Sequence, residues 1–129
     1  WYWDLNDETR GFAQRFYKLH GAMPSEAQAS MYSAVSHYLK GVAAMGTDDT
    51  NTVLAWMRAN PVDDFYARGA TLRADSRLVH DFYLVEVKTP AESKGAWDLY
   101  KVLSTIKPND AYPSLAESEC PLVRTAAAR

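Results

Sequence analysis

At Pro61 the spacing of apolar residues along this chain changes, and that change decides which half can be helix and which can be strand. Upstream, large apolar side chains recur every three or four positions, as on one face of a helix. Downstream they alternate, as on the two faces of a strand. A chain patterned in this way is α/β, with its helices first and its strands late.

Three helices are expected before Pro61. The first starts near Asn6 or Asp7, either of which can accept hydrogen bonds from the free N–H groups of a first turn, and Phe12, Phe16 and Leu19 form its apolar stripe. Gly21 and Pro24 stop it, the one as a left-handed cap and the other by blocking continuation. The second starts at Ser25 and Glu26, presents Met31, Val35, Leu39 and Val42 along one side, and ends at Gly46. Ala34, Tyr38 and Met45 widen that stripe, which predicts a well-buried helix. Asp48 or Asp49 caps a third, with Val53, Leu54 and Met57 inward and Asn60-Pro61 as its stop.

Beyond Pro61, Gly69 to Arg73 reads as a short strand, Ala74 to Arg77 as a turn, and Val79 to Lys88 as a longer strand. In the longer strand Tyr83, Val85 and Val87 share one face and Phe82, Leu84 and Glu86 the other. Apolar side chains on both faces predict a place inside a layered structure. Thr89 to Ala96 is a polar loop, Tyr100 to Ile106 a further strand, and Pro108, Pro113 and Pro121 break up an irregular tail.

Composition excludes several function classes. Hydrophobic residues make up 47% and charged residues 23%, as in a globular protein. The net charge of -2 comes with no basic stripe, so there is no electrostatic footprint for nucleic acid. No apolar run reaches the roughly 18 residues of a membrane span. The chain does not open on a charged segment followed by an apolar one, as a signal peptide would. Cys120 is the single cysteine; a free or buried thiol and a disulfide to a cysteine outside the chain are both open.

No catalytic constellation emerges. His20, His37 and His80 have no metal-ligand spacing, so neither a metal nor another cofactor is expected. His80 and Asp81, adjacent in a strand, point to opposite faces and would not meet. Asp48-Asp49 reads as helix capping and Asp63-Asp64 as a solvated turn, without the spaced carboxylates and glycine of a calcium loop. No Gly-x-Ser-x-Gly elbow and no glycine-rich phosphate loop occurs. Trp1-Tyr2-Trp3-Asp4 differs in kind: three aromatics and a carboxylate suit either the wall and polar tip of a small-molecule pocket or a strand end packed beneath a helix.

Three ordered blocks carry a family resemblance: WYWDLNDETRGFAQRF from Trp1, QASMYSAVSHYLKGVAAMGTDD from Gln28, and HDFYLVEVKTPAESKGAWDLYKV from His80. Together they resemble the C-terminal portion of solute-binding proteins of branched-chain amino-acid ABC transporters, whose members are longer than this chain. The resemblance implies a partial type I periplasmic-binding fold, in which two α/β lobes close on a ligand. It assigns residues 1–23 to the end of a second-lobe stretch, 24–88 to a returning first-lobe segment, and 89–129 to a closing second-lobe segment. The chain would then contribute to both lobes and complete neither, leaving apolar surface open to self-association.

The same resemblance implies a non-enzymatic, periplasmic protein that captures a small solute and delivers it to an ABC permease. A ligand-sensing receptor or regulator of the same fold is the alternative. Two regions correspond to places that approach the ligand cleft: Tyr2, Trp3 and Asp4 at a strand end and hinge, and Ala27 and Gln28 where the second helix begins. Branched-chain binders carry an apolar or aromatic residue at about the Ala27 position. The small Ala27 leaves room there for a larger or aromatic ligand, an amide or a short carboxylate.

Overall fold

The computed structural model describes residues 1–121 and 123. Its first half is helical: α1 (Asp7–His20), α2 (Glu26–Met45) and α3 (Thr50–Ala59). Each begins where a side chain takes up the free N–H groups of the first turn. The Asn6 side chain accepts from the Glu8 and Thr9 N–H groups, and the Thr9 hydroxyl oxygen accepts from the Asn6 N–H in return. Ser25 and Gln28 form the same reciprocal cap for α2, and Asp49 caps α3 through the Thr52 N–H. Gly21 and Gly46 end α1 and α2 with φ of 77° and 67°, a left-handed conformation that side chains with a Cβ rarely adopt.

The buried faces of α1 and α2 differ from the expected stripes. Thr9, Phe12 and Ala13 are the buried residues of α1, while Leu19 is 92% exposed. Phe12 stacks on Phe65 with ring centroids 3.9 Å apart and meets Trp1 edge-on, so the apolar partners of this helix lie around its first two turns. In α2 the buried line is Ala29, Ser33, His37 and Gly41, whereas Met31, Val35 and Leu39 face solvent. The reason is close approach by α3. A Cβ at Gly41 would lie 3.0 Å from Trp56 and 3.1 Å from Val53, so a side chain there would have to push its neighbours back, and glycine lets the two helices meet without that shift. His37 rests against Trp56 and donates from Nε2 to the Met57 carbonyl at 3.2 Å. The Ser33 hydroxyl donates to Asp64, tying the loop after Pro61 to α2.

Among the described residues the second half holds two separate antiparallel ribbons. β1 (Thr71–Leu72) pairs with β2 (Leu78–Val79), and β3 (Phe82–Val87) pairs with β4 (Tyr100–Ile106). The expected single strand from Val79 to Lys88 is therefore divided, because the chain leaves one ribbon and enters the other at His80-Asp81. There His80 Nδ1 bonds the Asp81 carbonyl while the Asp81 carboxylate pairs with Lys107, so imidazole and carboxylate do not meet. The turn at Ala74 to Arg77 forms as expected, with Ser76 at φ 64° and the Asp75 carboxylate paired to Arg73.

The layered environment expected for the apolar strand is not supplied by this chain. Among the described residues β3 has no second layer: Phe82, Leu84 and Val87 are all exposed, as is every residue of β4. A small core instead gathers Val62, Ala67 and Ala70, with Tyr66 and Leu78 against it. The tail is more ordered than its prolines suggest. Pro108–Ala111 forms a short helix, α4, Leu115–Glu117 a 3-10 turn, and the Tyr112 hydroxyl between them donates to the Leu78 carbonyl. Pro in the first turn of a helix removes no needed N–H, which is why Pro108 starts α4 instead of preventing it.

Candidate ligand cleft

Trp1 to Asn6 forms no helix or strand, so the expected strand end at Tyr2 to Asp4 is not seen among the described residues. These residues are instead fixed by their side chains. Tyr2 is buried, with its ring edge-on to Trp3 and to Tyr100. Its hydroxyl donates to the Trp97 carbonyl at 3.1 Å and accepts from the Leu99 N–H at 3.1 Å. The Trp3 indole N–H donates to the same Trp97 carbonyl at 2.9 Å, and the Trp1 indole N–H donates to the Phe65 carbonyl.

This arrangement places an aromatic wall opposite the start of α2. Between them lies a cleft of about 400 Å³ whose lining includes Trp1, Tyr2, Trp3, Trp97, Ser25 and Glu26. It is lined mainly by aromatic and aliphatic side chains with a few polar groups, the composition of small-molecule sites. Among the described residues Glu26 is the one charged side chain on it, and its carboxylate accepts a 2.7 Å hydrogen bond from the Tyr66 hydroxyl. Burial, and then that bond, push the Tyr66 phenol well above its ordinary value, so it stays a donor at physiological pH.

The predicted site residues are only partly brought together. Tyr2 and Trp3 line the cleft; Ala27 and Gln28 are exposed in the first turn of α2, just beyond its Glu26 edge. The Gln28 side-chain oxygen accepts from the Ser25 N–H at 2.8 Å as part of the helix cap. Asp4 does not line this cleft; its carboxylate pairs with Arg10 at 2.8 Å, and it borders, with Trp3, a neighbouring pocket of about 330 Å³ shared with Lys88 and Trp97. Glu26 and the Trp97 carbonyl were not legible as site groups. Glu26 reads in sequence as an ordinary first-turn acid, and a backbone carbonyl carries no sequence signal.

A smaller pocket of about 130 Å³ opens beside Asn6, Thr9, Asp64 and His80 and contains none of the predicted residues. Among the described residues no group of three His, Cys, Asp or Glu could hold a metal ion, and no helix is long and apolar enough to cross a membrane. Cys120 is a free, half-buried thiol in this chain.

A family model described as periplasmic binding protein matches residues 1–96. Among solved structures, a periplasmic binding protein from Burkholderia mallei is 43% identical with a TM-score of 0.90, over 95% of this chain and 32% of that one. A branched chain amino acid ABC transporter periplasmic ligand-binding protein from Burkholderia xenovorans is 46% identical with a TM-score of 0.91, over 95% and 33%. An amino acid ABC transporter substrate-binding protein from Pseudomonas fluorescens, at 24% identity and a TM-score of 0.78, shares the fold over 92% and 32%. The chain thus spans about a third of the length of the solved structures it matches. No curated protein matches it.

Proposed function

We propose, from the premise that this chain belongs to the periplasmic binding protein family, that it is the C-terminal part of an extracytoplasmic solute-binding protein serving an ABC importer. In this reading the solute is an amino acid or a related carboxylate or amide, held in the periplasm and handed to a permease. The observation that carries it is the cleft between the Tyr2–Trp3 wall and the start of α2, two regions that approach the ligand in the resembled proteins. Residues 1–23 and 89–129 would belong to one lobe and 24–88 to the other, so that hinge closure moves the aromatic wall against the helix.

The chemistry of the cleft suits that role. Aromatic rings give a solute's apolar part a rigid surface with little side-chain entropy to lose. The N–H groups at the start of α2 form a positive helix end that favours a carboxylate, while Glu26 nearby favours an ammonium group. An amino acid carries both charges.

Calorimetric titration of a full-length protein containing this chain tests the reading, with L-leucine, L-phenylalanine and short carboxylates as probes. Trp3→Ala removes apolar contact worth about 1.5–3 kcal/mol and should weaken binding by roughly tenfold or more. The 129-residue chain alone, a third of the matched length, should bind no more tightly than about 1 mM. Unchanged affinity in Trp3→Ala, or micromolar binding by the chain alone, would count against a two-lobed cleft at this wall.

A further inference from the structure

The cleft wall lies on backbone that has no ladder of its own, so the Tyr2 and Trp3 rings are aimed by what their side chains meet, through ring contacts and polar partners together. Both donate to a single acceptor, the Trp97 carbonyl, and the Leu99 N–H closes the arrangement on the Tyr2 hydroxyl. The orientation of two rings at one end of the sequence is thereby delegated to a loop near the other end. That loop joins β3 to β4 beyond the last paired residues, Val87 and Tyr100, and needs an anchor itself.

Asp98 supplies the anchor. One of its oxygens accepts from the Lys88 ammonium at 2.6 Å and the other from the Lys94 N–H at 2.9 Å. The Lys88 N–H also donates to the Leu99 carbonyl at 2.8 Å, so the two ends of the loop are joined twice. The ion pair is shielded: the Lys88 and Asp98 side chains are 19% and 14% exposed, against 52% and 57% for the Lys101–Glu86 pair on the ribbon. Charge-assisted bonds of this kind are shorter and stronger than neutral ones, and shielding weakens the competition from water and salt.

We propose that Lys88 and Asp98 are positioning residues of the cleft, whose ion pair closes the loop between β3 and β4 and holds the Trp97 carbonyl where it orients Tyr2 and Trp3. Neither residue lines the cleft of about 400 Å³; both border the neighbouring pocket of about 330 Å³, with Trp3 and Trp97 common to the two, so at the cleft they act through the wall. The consequence for binding rests on the solute-binding reading above; the positioning does not.

Hydrogen exchange of the tryptophan indole N–H groups, followed by NMR on the 129-residue chain, tests the positioning directly. Lys88→Met and Asp98→Asn should each speed exchange at the Trp3 indole about tenfold, the weight of one hydrogen bond that is no longer held. The Trp1 indole, bound to the Phe65 carbonyl instead, should keep its rate, and Lys88→Arg should restore Trp3. Unchanged Trp3 exchange in folded Lys88→Met overturns the proposal. Equal acceleration at Trp1 and Trp3 overturns it too, since that is general loosening. If Lys88→Met fails to fold, Asp98→Asn, which keeps its shape and an acceptor for the Lys94 N–H, gives the same comparison. In a full-length protein that binds L-leucine, the two variants should weaken it about tenfold and Lys88→Arg should not; equal affinity in all three removes the link to binding. A full-length protein that does not bind L-leucine removes that solute while leaving the exchange result to decide the positioning.

Discussion

Tyr2 shows how a residue can be found in sequence while its role stays hidden. Its place in a run of aromatics marks it, but the Trp97 carbonyl and Leu99 N–H that hold its hydroxyl lie 95 and 97 positions further along the chain, beyond any local pattern. Tyr2→Phe keeps the buried ring and removes only the bridge, so urea denaturation should show a loss of about 1 kcal/mol; no change would mean the hydroxyl is incidental. Gln28 illustrates the converse. The family resemblance makes it a group that approaches the ligand, and in this chain its side-chain oxygen caps α2, so Gln28→Ala should lower stability by roughly 0.5–1 kcal/mol whatever it does to binding. Asp75 gives a pH test with a defined sign. Bonding to Arg73 holds its carboxyl below the ordinary carboxylate range. A depressed folded value means the stabilisation is fully present above about pH 4 and is lost as the pH falls through the folded value. The melting temperature of Asp75→Asn should therefore lie below that of the unaltered chain near neutrality, and the gap should close in acid. A gap that persists unchanged at pH 2 would assign the effect to packing.

At the scale of elements, boundaries were legible and faces were not. Asn6, Ser25 and Asp49 begin helices and Gly21 and Gly46 end them because capping is local chemistry, decided within four residues. Which side of α2 is buried depends on what packs against it. Met31-Val35-Leu39 and Ala29-Ser33-His37-Gly41 both run along the helix at intervals of about four, and hydrophobicity favours the first. Close approach by α3 selects the second, because small residues let backbones come together. Gly41→Ala measures that selection. Alanine gains about 1 kcal/mol of helix propensity over glycine, but its methyl would press on Trp56 and on fully buried Val53 together. Overpacking of this sort costs about 1–3 kcal/mol, so denaturation should report a net loss of roughly 1 kcal/mol. Greater stability would show that Trp56 yields freely. The division of the expected strand at His80-Asp81 has the same origin: alternation fixes that residues are extended, not which partner they pair with.

Across the whole molecule the apolar stripe that α2 does not bury is the most consequential surface. Met31, Val35 and Leu39 are 64%, 47% and 55% exposed, and the β3–β4 ribbon exposes Phe82, Leu84, Val87 and Ile106 beside free strand edges. Contiguous apolar surface of this kind is uncommon on soluble monomers and marks a face that meets something. The sequence showed the surplus of apolar residues but not its position, since position depends on which layers the chain can build. The solved relatives are about three times as long, so in a longer protein chain beyond these residues can cover both faces. For the 129-residue chain on its own, the available cover is a second copy. Sedimentation velocity should show reversible association that strengthens with concentration. Met31→Glu together with Leu39→Glu should shift it toward monomer without unfolding α2, because both side chains already face water. Burying two such side chains contributes about 1.5–3 kcal/mol each, so the doubly substituted chain should associate roughly a hundredfold more weakly or worse. If the unaltered chain remains monomeric up to about 1 mM, its exposed stripe is stable in water and self-association through α2 is wrong. Association that survives both substitutions would move the contact to the β3–β4 edge, where Val87→Lys, by placing a charge on the open strand, should then break it.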